Sequence, residues 1–191
     1  MKKVERGEIL PLADYETIRD RFRARVIEEK QVRRVTLGEH VSGVFENHDT
    51  ALLQIQEMLR TERITREGAV LHEIETYNEL VPREDELSAT LFVEIPDREV
   101  RDRMLVELAG LEGCFFLELD GVRHPGRNET RGVLPDRTTA VHYVKFPLGA
   151  GAAARFRAAK TIAVGVDHPR YQAKVELSID TRTSLAEDLG G

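Results

Sequence analysis

The feature that most constrains the fold is the alternation of strand-like and helix-like segments in the second half of the chain. In Leu87–Ile95 apolar residues occupy every second position, which predicts a half-buried strand, and Pro96-Asp97 then opens a helix that reaches about Leu111. The pattern continues with strands at Cys114–Leu119 and Thr139–Pro147, a helix at Gly149–Lys160, and strands at Thr161–Val166 and Ala173–Ile179. The order is β-α-β-β-α-β with one extra strand, which predicts a ferredoxin-like antiparallel sheet.

The first half of the chain predicts mainly helices. Apolar residues recur at helical spacing in three segments, and a short β-hairpin is predicted after the first of them. The predicted helices are Leu12–Val32, about Asp49 to Arg63 and about Thr65 to Leu80, and the hairpin strands are Val32–Leu37 and Val41–Phe45. We therefore expect an α+β fold, in which an N-terminal helical segment with a small β-hairpin packs on the ferredoxin-like sheet.

A break in the pattern at Val81–Glu86 suggests how the chain is divided. It separates a helical and hairpin part, residues 1–82, from the ferredoxin-like part, residues 83–181. The two parts are expected to pack as one compact unit. Residues 182–191 carry no strong pattern and predict a fraying tail.

Composition argues against several classes of protein. The 191-residue chain has a formal net charge of -6, so nucleic acid is not an expected partner, because neutralising phosphates requires basic residues. Its apolar runs are far shorter than the roughly 20 residues that a membrane span needs, and no apolar leader follows the basic start, so we expect a cytoplasmic protein. The single cysteine, Cys114, permits no internal disulfide and no cysteine-based metal cluster within one chain.

His72, Glu75 and Glu79 are candidates for a metal site on the third helix. Their spacing of i, i+3 and i+7 places them on one side of a helix, and a histidine with two carboxylates suits iron or zinc. Glu57 on the second helix could supply a further ligand if the two helices pack together there. The alternative, which we favour, is an exposed acidic face, because the trio lies opposite the apolar stripe of its helix.

Gln56, Arg60, Arg63 and Asn78 are candidates for binding a small anion. The first three lie on or beside the apolar face of the second helix, where buried polar groups need partners, and Asn78 could meet them from the third helix. An arginine here could clamp a carboxylate or phosphate. The alternative, which we favour, is a polar network that fixes how the two helices pack.

His142 is a candidate on the predicted sheet. It shares one side of its strand with Val144 and Phe146, which favours a half-buried structural histidine over a ligand or a general base. Glu94 and Glu118 could converge with His142 on one open sheet face. The strand order decides whether they do.

Several motifs between Phe45 and Leu91 are long enough to be specific. They are Phe45–Asn47, Asp49-Thr50, Gln54–Arg60, Glu62–Ile64, His72-Glu73, Thr76–Leu80 and Glu86–Leu91. With these motifs the chain resembles the bacterial domain-of-unknown-function family 3501. The resemblance implies gene neighbourhoods shared with rubrerythrin-like di-iron proteins and iron–sulfur proteins, and hence a link to redox metabolism or peroxide stress. It implies no catalytic residues.

We therefore expect a non-catalytic auxiliary or binding protein of a redox or peroxide-stress system, with rubrerythrin-like or iron–sulfur proteins as partners. The alternatives are a metal-binding protein or metal-dependent enzyme that holds iron or zinc, and a small-anion-binding module. Neither nucleic acid nor a membrane is expected as a partner, and a homodimer is expected only by analogy with other ferredoxin-like sheets. The sequence contains no Gly-x-Ser-x-Gly, His-Glu-x-x-His or phosphate-loop signature, and it leaves open whether the protein is an enzyme.

Overall fold

The fold belongs to the α+β class, as predicted. The computed structural model describes residues 1–128 and 134–190, and within these ranges it contains six α-helices and nine strands in two antiparallel sheets. The helices are α1 (Leu12–Val32), α2 (His48–Thr61), α3 (Glu67–Tyr77), α4 (Arg98–Glu107), α5 (Ala152–Ala158) and α6 (Ile179–Asp188). The strands are β1 (Arg34–Leu37), β2 (Val41–Glu46), β3 (Glu86–Val93), β4 (Phe115–Leu119), β5 (Val122–Pro125), β6 (Arg127–Asn128), β7 (Val141–Pro147), β8 (Ile162–His168) and β9 (Tyr171–Glu176). None of the helices in the described part of the chain is long and apolar enough to cross a membrane.

The two sheets share one hydrophobic core. The first sheet has the strand order β1-β2-β3-β7-β6 and the second has the order β5-β4-β8-β9. Alternate residues point inward, so Leu87 and Leu91 on β3 are fully buried in the same core as Leu117 and Val164 of the second sheet. A second, smaller core lies between α2 and α3 and includes residues that precede α1.

The predicted ferredoxin-like sheet is not confirmed, because its strands divide between two sheets. β3 pairs with β7, whereas β4 pairs with β8. A turn at Asp120 and Gly121, which have φ values of 47° and 83°, folds β5 back onto β4. The chain then passes between the sheets at Gly126, where a Cβ would lie 2.5 Å from the Val144 Cγ1 atom. The order of elements along the sequence does not specify which strands pair, and pairing decides the fold.

The segment of residues 124–137, which separates the strands predicted at Cys114–Leu119 and Thr139–Pro147, is partly strand. β5 extends to Pro125, and the short strand β6 pairs with β7. Residues 129–133 lie outside the described residues. Beyond them, Leu134 and Arg137 form an isolated antiparallel bridge.

The fraying tail expected at residues 182–191 is wrong, because α6 occupies most of this segment. Ser178 caps the helix, since its hydroxyl accepts a hydrogen bond from the Thr181 amide at 3.1 Å. Leu185 and Leu189 are buried in the main core. Helix α6 is therefore held in place by packing against the main core, which its short and mostly polar sequence does not predict.

The predicted N-terminal helices and hairpin are confirmed as α1, α2, α3, β1 and β2. Asn47 caps α2 by accepting a hydrogen bond from the Thr50 amide at 2.9 Å. Strand β2 pairs with β3 across the predicted boundary at residue 82, so the first sheet draws strands from both predicted parts. The division of the chain into those parts stays a prediction.

Candidate functional site

Gln56 and Asn78 hold the N-terminal segment against α2 and α3. Gln56 is 2% exposed, and its amide accepts a hydrogen bond from the Leu10 N–H (2.7 Å) and donates one to the Leu10 carbonyl (3.4 Å). Asn78 is 7% exposed and makes the same pair of bonds with Val4, at 2.8 and 2.9 Å. Each side chain thus satisfies both main-chain groups of one residue, as a neighbouring strand would. This geometry matches a structural role.

Arg60 and Arg63 have different partners from these two amides. The Arg60 Nε donates to Glu16 on α1 at 2.6 Å. Arg63 follows the end of α2 with a φ of 52°, and its amide donates to the Arg60 carbonyl at 3.3 Å. The Ile64 amide donates to the Leu59 carbonyl at 2.9 Å, which completes a Schellman motif. The structure therefore does not bring the four predicted anion-binding residues into one shared set of contacts.

Glu57 is bound to α1. The Tyr15 hydroxyl donates to Glu57 Oε1 at 2.7 Å, and Arg19 donates to both carboxylate oxygens at 2.8 Å. The hydrogen bonds from Arg19 hold the pKa of Glu57 below its usual value, and the Tyr15 hydroxyl adds to this effect while burial opposes it. Burial, followed by the hydrogen bond to Glu57, raises the pKa of Tyr15. Glu57 therefore joins α1 to α2.

The other three predicted metal ligands lie on or just beyond α3. His72 and Glu75 are exposed on the helix, and Glu79 is exposed in the turn that follows it. Within residues 1–128 and 134–190, no group of three or more His, Cys, Asp or Glu side chains is placed to hold a metal ion. The structure thus does not gather the predicted ligands, and the iron or zinc site stays a prediction.

His142 is 2% exposed, with its ring 5.4 Å from that of Phe115. Its Nδ1 lies 3.2 Å from Asn128 Nδ2, which can only donate, and its Nε2 lies 3.4 Å from Thr138 Oγ1. The Thr138 hydroxyl donates to Glu112 at 2.9 Å, so its oxygen is left to accept a hydrogen bond from His142 Nε2. Burial lowers the pKa of His142, which favours the neutral ring over the charged one. The contacts are those of a structural histidine, as predicted.

The strand order does not bring Glu94, Glu118 and His142 together on one sheet face. Glu94 follows β3 of the first sheet and accepts from Arg34 at 3.4 Å, whereas Glu118 lies on β4 of the second sheet and accepts from Lys174 at 3.0 Å. The division of the strands between two sheets separates these carboxylates from each other and from the buried histidine.

A groove of about 560 Å³ opens between one edge strand of each sheet. These are β1 of the first sheet and β9 of the second. At one end the Tyr171 hydroxyl donates to the Leu37 carbonyl (2.5 Å) and accepts from the His40 amide (2.9 Å). At the other end the Thr181 hydroxyl donates to the Val32 carbonyl at 2.7 Å. In the part of the chain that the structure describes, no main-chain hydrogen bond joins β1 to β9 between these two bridges.

The register of β1 shows which of its main-chain groups face the groove. The Phe45 amide donates to the Arg33 carbonyl at 3.1 Å, which makes this a hydrogen-bonded pair of the β1–β2 ladder. Hydrogen-bonded and non-bonded pairs alternate along an antiparallel ladder. Arg34 and Thr36 therefore turn their N–H and C=O groups away from β2 and toward the groove.

The register of β9 gives the matching result on the opposite wall. The Leu177 amide donates to the Ile162 carbonyl at 2.8 Å, which fixes the alternation of the β8–β9 ladder. Lys174 and Glu176 therefore turn their main-chain groups away from β8. Two unpaired strand edges border the groove.

The groove walls combine apolar and charged side chains. Val32 is 40% exposed, and Ile179, which lies between two residues that line the groove, is 81% exposed. The wall formed by β9 and the start of α6 carries two exposed acids, Glu176 and Asp180. The wall formed by β1 carries Arg34. An extended chain with both apolar and charged side chains would find partners on these walls.

No sequence pattern predicts this groove. The strand predicted at Ala173–Ile179 instead spans Tyr171–Glu176, so the residues from Leu177 onward form the groove end and the start of α6. A signal that could have pointed to it is the pair of apolar residues, Val32 and Ile179, at positions that the structure leaves exposed. Sequence alone does not show that Val32 lines a groove or that Ile179 lies beside it.

Comparison with known proteins places the chain in a family. The family model described as "Protein of unknown function (DUF3501)" matches residues 3–189. A crystal structure of a novel protein of unknown function from Burkholderia pseudomallei K96243, solved at 1.90 Å, is similar with a TM-score of 0.91 and 33% sequence identity, over 98% of this chain and 100% of that chain. The search of curated proteins found no match. The chain therefore belongs to the DUF3501 family of proteins of unknown function.

Proposed function

We propose that this chain is a non-catalytic binding protein and that the groove between β1 and β9 is its binding surface. One observation carries the proposal: two strand edges with unpaired main-chain groups border an open groove of about 560 Å³. Open edges template pairing with another chain, and proteins usually cover, charge or shorten them. A groove beside an open edge is a geometry by which binding modules take up a partner segment.

The partner in this proposal is a component of a redox or peroxide-stress system, of the rubrerythrin-like or iron–sulfur kind. The support for this part is the family resemblance, which implies gene neighbourhoods shared with such proteins. The groove supports the mode of contact, since it offers main-chain groups and apolar side chains to a protein partner.

Photo-cross-linking in cells tests the proposal. A photoreactive amino acid replaces Ile179, which lies between the groove-lining residues Ser178 and Asp180, and Val122 serves as the matched control position. Both side chains are exposed, at 81% and 62%, and Val122 lies on β5 at the opposite edge of the second sheet. We expect a defined adduct with one protein from position 179 and not from position 122, with the partner identified by mass spectrometry.

Two results would contradict parts of this proposal. Absence of an adduct from position 179, or the same adducts from both positions, would remove the groove as the binding surface. A groove-specific adduct with a protein outside redox metabolism would keep the binding surface and remove the proposed partner class.

A further inference from the structure

We infer that the groove takes up an extended peptide segment of another protein, with alternating basic and apolar side chains, which adds as a strand to the open edge of β1. The inference rests on the proposed function and specifies the chemistry of the partner segment. It follows from the main-chain groups, the length and the charge of the groove.

The main-chain groups of β1 select an extended chain. Arg34 and Thr36 present two N–H and two C=O groups on the groove side, because their pairs with β2 are the non-bonded ones. Residues two apart in a strand are about 6.6 Å apart along its axis. A partner in the β conformation presents donors and acceptors at the same repeat, so it can satisfy all four groups at once.

The two hydroxyl bridges set the length of the site. Thr181 holds Val32 at one end and Tyr171 holds Leu37 at the other. At about 3.3 Å per residue, the strand between them measures about 17 Å. About five residues of an extended partner therefore fit along the groove.

The charges of the groove select basic side chains. Glu176 and Asp180 are both exposed on the β9 and α6 wall, and neither forms an ion pair within the described ranges. Arg34, the basic residue of the opposite wall, donates instead to Glu94 at 3.4 Å. Lysine or arginine in the partner would meet the two free carboxylates, and the exposed apolar side chains of the walls would take the residues between them.

Nuclear magnetic resonance titration of the full chain with three synthetic peptides tests the inference. The probe is acetyl-Lys-Val-Lys-Val-Lys-Val-amide, the first control has the same side chains with alternate amides N-methylated, and the second replaces lysine with glutamate. We expect the probe to shift the amide resonances of Arg34, Thr36 and Glu176 at peptide concentrations up to about 1 mM, a range that detects weak binding. The N-methylated peptide should produce no shift, because it cannot pair its main chain, and the acidic peptide should bind at least threefold more weakly.

Two variants separate the contributions of main chain and charge. Thr36→Pro removes an N–H that faces away from β2, so the β1–β2 ladder keeps its bonds and binding of the probe should be lost. Glu176→Gln combined with Asp180→Asn leaves both strand edges intact and should weaken the probe about threefold or more. The melting temperature of each variant reports whether it is folded. If the proline variant does not fold, the charge variant still tests the inference.

Three outcomes would overturn the inference. They are no resonance shift with any peptide, equal binding of the methylated and unmethylated peptides, and a groove filled by a second copy of this chain, seen as a dimer whose interface contains Thr36. The cross-linking experiment separates this inference from the proposed function. If position 179 gives a groove-specific adduct but the first or second outcome is found, the inference fails and the proposed function stands. If position 179 gives no such adduct, both the inference and the proposed function fail.

Discussion

Replacing Asp188 with alanine is expected to lower the free energy of unfolding by about 3–5 kcal/mol, because it leaves a buried cation without its counter-ion. The Arg33 side chain is 1% exposed and the Asp188 side chain 5%. Both terminal nitrogens of Arg33 donate to the Asp188 carboxylate. The remaining donors bind the carbonyls of Phe45 (2.8 Å) and Glu46 (3.1 Å) and the hydroxyl of Ser184 (2.9 Å).

The magnitude follows from what the substitution leaves behind. The bonds from Arg33 to the two carbonyls and the hydroxyl remain, so the loss comes from a guanidinium charge that has no counter-ion and little contact with water. The Arg33–Asp188 pair helps to attach α6 to the rest of the protein. The C-terminal end of α6 should therefore also become more mobile in the variant. Unfolding in urea followed by circular dichroism measures the loss, and about 4 kcal/mol corresponds to a fall of about 10 °C in melting temperature for a chain of this size.

Glu187→Ala is the matched control. Glu187 is the neighbouring carboxylate in the same helix and is exposed, so its removal should change the free energy of unfolding by less than about 0.5 kcal/mol. Arg33→Met combined with Asp188→Leu removes both charges and should be less destabilising than Asp188→Ala alone. If Asp188→Ala lies within about 1 kcal/mol of the wild type, the pair is not buried and the reasoning is refuted.

Three further predictions concern the N-terminal helices. Gln56→Ala should lower the free energy of unfolding by about 1–3 kcal/mol, because the main-chain groups of Leu10 lose their partners, and should speed exchange of the Leu10 amide hydrogen. Arg63→Gly should raise the free energy of unfolding by about 1 kcal/mol in urea titrations, because its φ of 52° favours glycine. Because Arg19 lowers the pKa of Glu57, the pair stabilises the fold above the ordinary glutamate value of 4.5, and this contribution is lost as the pH falls through the folded-state pKa. Glu57→Gln should therefore flatten the fall in urea midpoint on acidification, and an unchanged fall would contradict the assignment.

Local signals in the sequence were sufficient for the N-terminal helices. Asn47 caps α2, since its side chain accepts a hydrogen bond from the Thr50 amide three residues ahead. Caps and apolar periodicity act within a few residues, so they can be found without knowing the fold. The polar residues on α2 and α3 were also correctly expected to need partners.

The partners themselves could not be predicted, because they lie far away in the sequence. Gln56 binds a residue 46 positions away and Asn78 one that is 74 positions away. Neither separation leaves a pattern that a single sequence reveals. The same reason explains the two-sheet arrangement, since the strands β3, β4, β7 and β8 were predicted from local patterns while the pairing of β4 with β8 was not.

The groove is formed by residues that lie even farther apart in the sequence. Tyr171 on β9 binds Leu37 on β1, 134 positions away. A sequence can indicate that each segment is a strand, but whether one of its edges stays open depends on the order of strands in the finished sheets. The candidate binding surface is therefore a property of the fold.

Amide hydrogen exchange along β1 in the free protein tests the central claim most directly. Val35 and Leu37 belong to the hydrogen-bonded pairs with Gly43 and Val41, so their amides should exchange slowly. The amides of Arg34 and Thr36 face the groove and should exchange much faster. Fast exchange at the two groove-facing positions, alternating with slow exchange at their neighbours, is the result that an open strand edge predicts. Equal protection at all four positions would show that the edge is already paired and would contradict the binding groove.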